Sequence, residues 1–455
     1  MAIDPKIFKA YDVRGIYPTQ INEEAVYDII QAYVSFVKPA VVVLGKDVRT
    51  SGPALWGAAC NSFIHAGVKV IDIGTVNADM VYFAVRELKA DGGIYLSASH
   101  NPKEWNGINI CRKGSRPISS ETGLKDIQML AEKKTRVKPA AKGSLRAENI
   151  TDRYIAFVLS FIDVKKIKPL RIAANANFGI SLQVFSRIVQ AGKLPITIIP
   201  LNEEPDGNFP KGDPNPLLPE NRGELIKLVK KSVADMGVAW DADGDRCFFV
   251  DESGVFVEGY FITALLAKEL LKKHPGEKII IDPRLVWATQ ETIRAAGGVP
   301  VISRAGMTII ADRMEKEKAL FAGEMSSHFY FRENANRDNG MIPLLLMLEQ
   351  MSVEKKKLSQ LAAPLMKKYL ISGEINFHVN DAPRLLALIE KKYEKGKTEH
   401  IDGVSVEFPE WRFNVRASNT EPLVRLNVEA RSADLLKQKT KELVKVIKEF
   451  EKKRN

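Results

Sequence analysis

Between residues 22 and 37 the apolar side chains fall at Ala25, Val26, Ile29, Ile30, Tyr33, Val34 and Val37. That i, i+3, i+4 stripe predicts a helix with one face in a core. Residues 40–45 are an unbroken aliphatic run between Pro39 and Gly45, the pattern of a strand covered on both faces. The alternation continues with a helix over 52–66, a strand over 68–73, a helix over 79–88 and a strand over 93–97, which predicts a parallel sheet with helical crossovers. The pattern returns with strands at 171–175, 196–200 and 236–241 and helices at 182–190 and 220–231. A third set places strands at 278–282, 299–304 and 320–323, with helices at 286–295 and 307–316. The tail differs. Residues 371–379 alternate as a half-buried strand, 381–392 read as a helix, 404–408, 411–415 and 423–429 as strands, and 433–453 as an amphipathic helix. Segregated strands and helices predict an α+β module there.

A chain of 455 residues is too long for one hydrophobic core. Breaks in the pattern predict domains over 1–143, 144–253, 254–367 and 368–455. Each of the first three sets ends in a polar loop (97–102, 241–246 and 323–328), and ligands of open α/β sheets sit outside the carboxyl ends of strands. Net charge is +11. Nucleic acid or an anionic small molecule would each account for that excess, but so do solvated helix faces. The Lys clusters are interleaved with Glu or apolar residues, and no basic strand carries the aromatics that stack bases. We therefore expect no nucleic-acid partner. Cys60, Cys111 and Cys247 form neither ligand spacing nor a disulfide framework, which fits a reducing cytoplasm. The first residues carry no apolar signal segment. The longest apolar runs are too short to cross a bilayer, so no membrane partner is expected.

Five loops carry candidate chemistry. Ser99, in Ser97-Ala98-Ser99-His100-Asn101-Pro102, offers a hydroxyl on a loop that Pro102 keeps from becoming helix. A serine hydroxyl needs activation to act as a nucleophile, and an ordinary Ser/Asn/Pro turn would read the same way. Asp241, Asp243 and Asp245 alternate at a strand end, with Arg246 next. Arg246 stands where an EF-hand turn requires glycine, so a few-carboxylate site for Mg²⁺ fits better. Arg416-Ala417-Ser418-Asn419-Thr420 gathers a guanidinium, hydroxyls and an amide suited to a free phosphate. Glu324, Ser326 and His328 place a carboxylate, a hydroxyl and an imidazole at another strand end, suited to sugar hydroxyls. Tyr11 and Arg14 join an aromatic and a cation before Gly15.

Together these loops, in the order they take along nearly the whole chain, resemble the α-D-phosphohexomutase family, in its phosphomannomutase/phosphoglucomutase branch. The resemblance implies three related α/β/α domains with mixed, mostly parallel sheets plus a smaller carboxy-terminal α+β domain around a central cleft. It implies that Ser99 carries phosphate, and that Asp241, Asp243 and Asp245, with Ser99, hold Mg²⁺. Arg246, His100, Tyr11 and Arg14 would complete the catalytic group. Glu324, Ser326 and His328 would bind the sugar, and Arg416, Ser418, Asn419 and Thr420 the phosphate that is not transferred. The implied reaction interconverts hexose 1- and 6-phosphates of mannose or glucose, with glucose 1,6-bisphosphate or mannose 1,6-bisphosphate as activator. The implied partner is a small phosphosugar, and the implied state a monomer or weak dimer.

Two positions depart from the family pattern. Asn109 stands where the family usually has Lys, and Met307 where it usually has His. Neither an amide nor a thioether transfers protons. Lys113 shares a strand face with Asn109 but lies roughly 13 Å along it at ~3.3 Å per residue, so Lys103 is the freer substitute. The departures keep open a non-catalytic phosphosugar-binding paralogue as an alternative, with phosphoglucosamine mutase as another. Asn175-Ala176-Asn177 also departs from the usual run and reads as structural.

Overall fold

The computed structural model describes residues 3–139, 141–417 and 423–452. It divides into two compact units, one of residues 1–257 and 328–359, the other of residues 258–327 and 360–455. Local signals start and stop the elements. Helix Glu23–Val37 begins where the Asn22 side chain accepts the Ala25 N–H at 2.9 Å, and ends at Lys38 in a left-handed conformation ahead of Pro39. Helix Ala382–Lys392 begins at the Asp381 cap with a proline in its first turn, and places Lys391 and Lys392 in its last.

The first unit holds two mixed sheets. In one, Val41–Lys46 pairs in parallel with Gly92–Leu96 and with Lys69–Thr75, which pairs in parallel with Ser144–Ala147. Trp105–Arg112 folds back antiparallel on Gly92–Leu96 and takes Val13–Ile16 on its other edge. In the other, Leu170–Asn175 lies in parallel between Ile196–Leu201 and Met236–Trp240, and Cys247–Asp251 returns antiparallel on the latter. The hairpin of Phe329–Phe331 and Arg337–Asp338 also belongs to this unit.

The second unit has a parallel trio, with Lys278–Ile281 between Val299–Ile302 and Phe321–Gly323. It also has an antiparallel sheet built on Leu423–Ala430 and Trp411–Ala417. Helices Ala382–Lys392 and Ala433–Lys452 pack on that sheet through Leu385, Ile389, Leu443 and Ile447 against Phe413, Val415 and Leu426. The expected single strand over 371–379 is two, Leu370–Ile371 and Ile375–His378, because Gly373 at φ +70° turns the chain between them.

Register decides what meets at the strand ends. Lys46 is opposite Leu96, so the Asp47 N–H reaches the Leu96 carbonyl at 3.0 Å. Asn175 is opposite Ala239, and Ile281 opposite Gly323. Val41–Lys46, Leu170–Asn175 and Lys278–Ile281 each thus deliver their next residues beside the polar loop of their own sheet.

The second unit contains a buried ion pair. Arg412 donates to Glu429 at 2.9 Å and to the carbonyls of Arg284 and Pro283, while Glu429 also accepts from the Val286 N–H and the Tyr260 hydroxyl. Arg412→Ala leaves the Glu429 carboxylate buried without its cation, a loss of about 3–5 kcal/mol. The expected result is a lower urea midpoint, partly recovered when Glu429→Gln is added. An unchanged midpoint in Arg412→Ala would count against the pair as a stability element.

Candidate active site

Ser99 sits at φ +50°, in the left-handed region that a serine rarely adopts. Several contacts hold it there. The Ser99 N–H donates to Ser97 Oγ at 2.8 Å, and Ser97 Oγ donates to Asp47 Oδ2 at 2.7 Å. The fully buried Arg49 guanidinium donates to the carbonyls of Ser99, Asn101, Pro102 and Trp105 at 2.6–2.9 Å, and its Nε meets Asp47 Oδ2 at 3.0 Å. Arg14 adds bonds to the Ala98 carbonyl at 3.1 Å and Asn101 Oδ1 at 2.7 Å, and is itself paired with Asp12. Tyr11 is half-buried in the bend before Val13–Ile16.

The loop of Asp241, Asp243 and Asp245 is the turn of the hairpin between Met236–Trp240 and Cys247–Asp251. Gly244 makes the turn at φ +69°, and a Cβ there would meet Ser181 Oγ at 2.3 Å and the Asn77 amide at 2.6 Å. The Ala78 N–H, opening helix Ala78–Glu87, donates to the Asp243 carbonyl at 2.9 Å. The fold brings this loop to Ser99. Ser99 Oγ lies 3.0 Å from Asp241 Oδ2, and Ser97 Oγ 3.3 Å from Asp243 Oδ2. His100 Nδ1 is 3.2 Å from Ser99 Oγ. Arg246 Nε pairs with Asp241 Oδ2 at 2.8 Å.

The electrostatics are those of a cation and anion site. Asp241, Asp243 and Asp245 each bring a carboxylate oxygen into one group whose ligand atoms all lie within 4.8 Å of one another. Burial pushes Asp243 and Asp245 well above the usual carboxylate range, and their neighbouring carboxylates push the same way. Burial would raise Asp241 too, but the Arg246 guanidinium holds it below its ordinary value. His100 is driven well below the ordinary histidine value by burial and then by the Arg246 and Arg14 charges. Asp243 Oδ1, Asp245 Oδ1 and Arg246 Nη2 are buried with no hydrogen-bond partner. Unsatisfied hard oxygens beside a hydroxyl suit Mg²⁺, and the free guanidinium edge suits phosphate.

In the second unit, Glu324 Oε1 accepts the Gly306 N–H at 3.1 Å, just before helix Met307–Glu317. Ser326 is half-buried two residues on. Asp282 Oδ2 accepts the Met325 N–H at 2.7 Å and pairs with Arg284 at 2.8 Å. Arg416 lies 3.7 Å from Asp402, and its Nε is buried with no partner. Ser418, Asn419 and Thr420 lie outside the described residues. His328, grouped by sequence with Glu324 and Ser326, belongs to the first unit, where it bridges to Arg246 and stands 3.9 Å from Asp245. Asn109 is buried opposite Tyr95, whereas Lys103 and Lys113 are exposed.

Sequence reading missed the residues that hold these loops. Asp47 and Arg49 follow strand Val41–Lys46, and Asp282 and Arg284 follow strand Lys278–Ile281. In both, the Asp Oδ1 accepts the Arg N–H two residues on, at 3.0 and 2.9 Å. Asn175 does the same for Asn177, whose amide reaches the Trp240 carbonyl at 2.6 Å. An Asp/Asn-x-Arg/Asn step after each of these strands was the available signal.

Residues 5–138, 152–254, 258–369 and 374–446 match, in order, phosphoglucomutase/phosphomannomutase α/β/α domains I, II and III and the C-terminal domain of that family. The chain belongs to the phosphoglucomutase/phosphomannomutase family of enzymes. It is 44% identical over 448 residues to a phosphomannomutase of Salmonella montevideo, covering 97% of this chain and 98% of that one. It is also 44% identical to a protein of Xanthomonas campestris pv. campestris named phosphohexose mutases, with 97% and 99% covered. A phosphoglucomutase/phosphomannomutase family protein from Burkholderia thailandensis superposes with a TM-score of 0.87 at 27% identity, 98% of each chain covered. The open form of a Paramecium phosphoglucomutase shares the fold at 16% identity, with a TM-score of 0.80 and 98% and 95% covered. No helix among the described residues is long and apolar enough to cross a membrane.

Asp79, near the start of helix Ala78–Glu87, accepts from the Tyr154 hydroxyl at 2.6 Å, and burial raises it from 3.8 to about 7. The folded state binds this proton more tightly than the unfolded chain does. The stabilisation is complete below pH 3.8 and is lost as pH rises through about 7, worth at most about 4 kcal/mol. Denaturant titrations from pH 4 to 8 are expected to show a shallower decline in Asp79→Asn than in the wild type. Parallel profiles would mean that Asp79 does not titrate in this range.

Proposed function

We propose that the chain interconverts the 1- and 6-phosphates of a hexose, mannose or glucose, with Ser99 as the phosphate carrier. The observation that supports this most is the placement of Ser99 Oγ against Asp241, beside unsatisfied atoms of Asp243, Asp245 and Arg246. A binding protein has no use for a strained, buried hydroxyl at a cation cluster, so the mutase reading is preferred to the paralogue. In one half-reaction the bond from phosphorus to Ser99 Oγ breaks as a sugar hydroxyl oxygen bonds to that phosphorus, and the hydroxyl proton ends on Ser99 Oγ. In the other, the bond from the second phosphorus to its sugar oxygen breaks as Ser99 Oγ bonds to that phosphorus, and the Ser99 proton ends on the sugar oxygen. His100 Nδ1, held neutral by its surroundings, is placed to relay the proton that Asn109 cannot.

Asp241, Asp243, Asp245 and a Ser99 oxygen would hold Mg²⁺, which supplies charge neutralisation on the phosphoryl oxygens. Arg246 Nη2 adds a hydrogen bond to the same oxygens. Arg14 and Arg49 keep the loop in place. Glu324 and Ser326 have the chemistry for sugar hydroxyls, and Arg416, with Ser418, Asn419 and Thr420, for the phosphate not being transferred. Glucose 1,6-bisphosphate or mannose 1,6-bisphosphate would reload Ser99. Monomer or weak dimer in a cytoplasm remains our reading for the chain.

The test is ³¹P NMR of mannose 1-phosphate, and of glucose 1-phosphate in a matched tube, with protein, Mg²⁺ and a trace of glucose 1,6-bisphosphate. A 6-phosphate signal that falls at least 10³-fold in Ser99→Ala and vanishes with EDTA is expected. No conversion of either sugar by the wild type would reject the mutase and favour the binding paralogue.

A further inference from the structure

A second group of donors adjoins the Asp241, Asp243 and Asp245 loop. One ligand atom each from Asp245, His328 and Asp338 lie within 4.8 Å of one another. Asp338 is fully buried, and both of its carboxylate oxygens lack a hydrogen-bond partner. Leaving a buried carboxylate with neither oxygen bonded is costly, and a positive ligand is the direct remedy. Asp245 Oδ1 is likewise without a hydrogen bond, 3.9 Å from His328 Nε2.

The support behind these donors is rigid. Asp338 pairs with Tyr330 in the hairpin, and its carbonyl accepts from Asn334 at 3.1 Å. The next residue, Asn339, bonds Tyr154 and caps helix Ile342–Glu354. His328 is pinned by its bridge to Arg246. Asp245 and His328 are half-buried, which leaves an entry path.

We propose that Asp245, His328 and Asp338 form a second cation site, sharing Asp245 with the first and selective for a transition divalent ion over Mg²⁺. The selectivity follows from the imidazole, which binds Co²⁺, Zn²⁺ or Mn²⁺ more readily than the hard Mg²⁺ ion. The site rests on reading Asp241, Asp243 and Asp245 as a metal loop, but not on the mutase reaction.

The probe is Co²⁺, titrated into the full-length protein by calorimetry with visible absorbance recorded alongside. Two Co²⁺ per wild-type chain are expected, and one in each of Asp338→Asn and His328→Gln. Asp243→Asn is expected to keep the Co²⁺ whose absorbance reports a nitrogen ligand. A single Co²⁺ in the wild type, or two retained in both Asp338→Asn and His328→Gln, overturns the site. Circular dichroism checks folding, and if Asp338→Asn does not fold, the half-buried His328→Gln decides. Two Co²⁺ without sugar-phosphate conversion in the Mg²⁺ assay supports the site and rejects the mutase. One Co²⁺ with conversion does the reverse.

Discussion

The grip of Arg49 on the Ser99 loop is the interaction on which the rest of the site depends. Four carbonyls turned inward would be a heavy desolvation loss if left unbonded, and one planar guanidinium meets them all. Asp47 makes that arrangement possible, neutralising Arg49 and accepting from Ser97 at the same oxygen. Burial pulls the Asp47 carboxyl above its usual range, and Arg49 and Ser97 pull it back. The left-handed Ser99 is thus over-determined by its surroundings, the condition under which such a conformation persists.

The same device recurs with different partners. After Leu170–Asn175 an amide pair does the work, with Asn177 fastening to the carbonyl that ends strand Met236–Trp240. After Lys278–Ile281 it is Asp282 that fastens, to the Met325 N–H beside Glu324. A short turn at the end of one strand fixes the loop at the end of its parallel neighbour. Register supplies the adjacency, and side-chain chemistry supplies the lock.

This division explains what could be read from the chain alone. Strands such as 40–45 and helices such as 22–37 announce themselves because both faces, or one full stripe, must be apolar. Ser99 and the Asp241, Asp243 and Asp245 triplet were legible because clustered polar groups at strand ends are unusual. Their meeting was not legible, since 142 residues separate Ser99 from Asp241. Arg49 and Arg284 did not stand out, because burial of a cation shows only once its partners are placed. His328 was read with Glu324 and Ser326 on proximity in sequence, although it bridges to Arg246 in the other unit. The short hairpin Phe329–Phe331 with Arg337–Asp338 gave too few residues for a period to show.

The first unit closes only when residues 328–359 join residues 1–257. Trp240, at the end of the strand before the acidic loop, donates its indole N–H to the Gly340 carbonyl at 2.9 Å, and Tyr154 waits for Asn339. During synthesis the acidic loop therefore leaves the ribosome about a hundred residues before the segment that seals it. Until then, Trp240 and Tyr154 lack these closing partners, and a nascent chain stopped near Val257 would expose an unfinished core to chaperones and proteases.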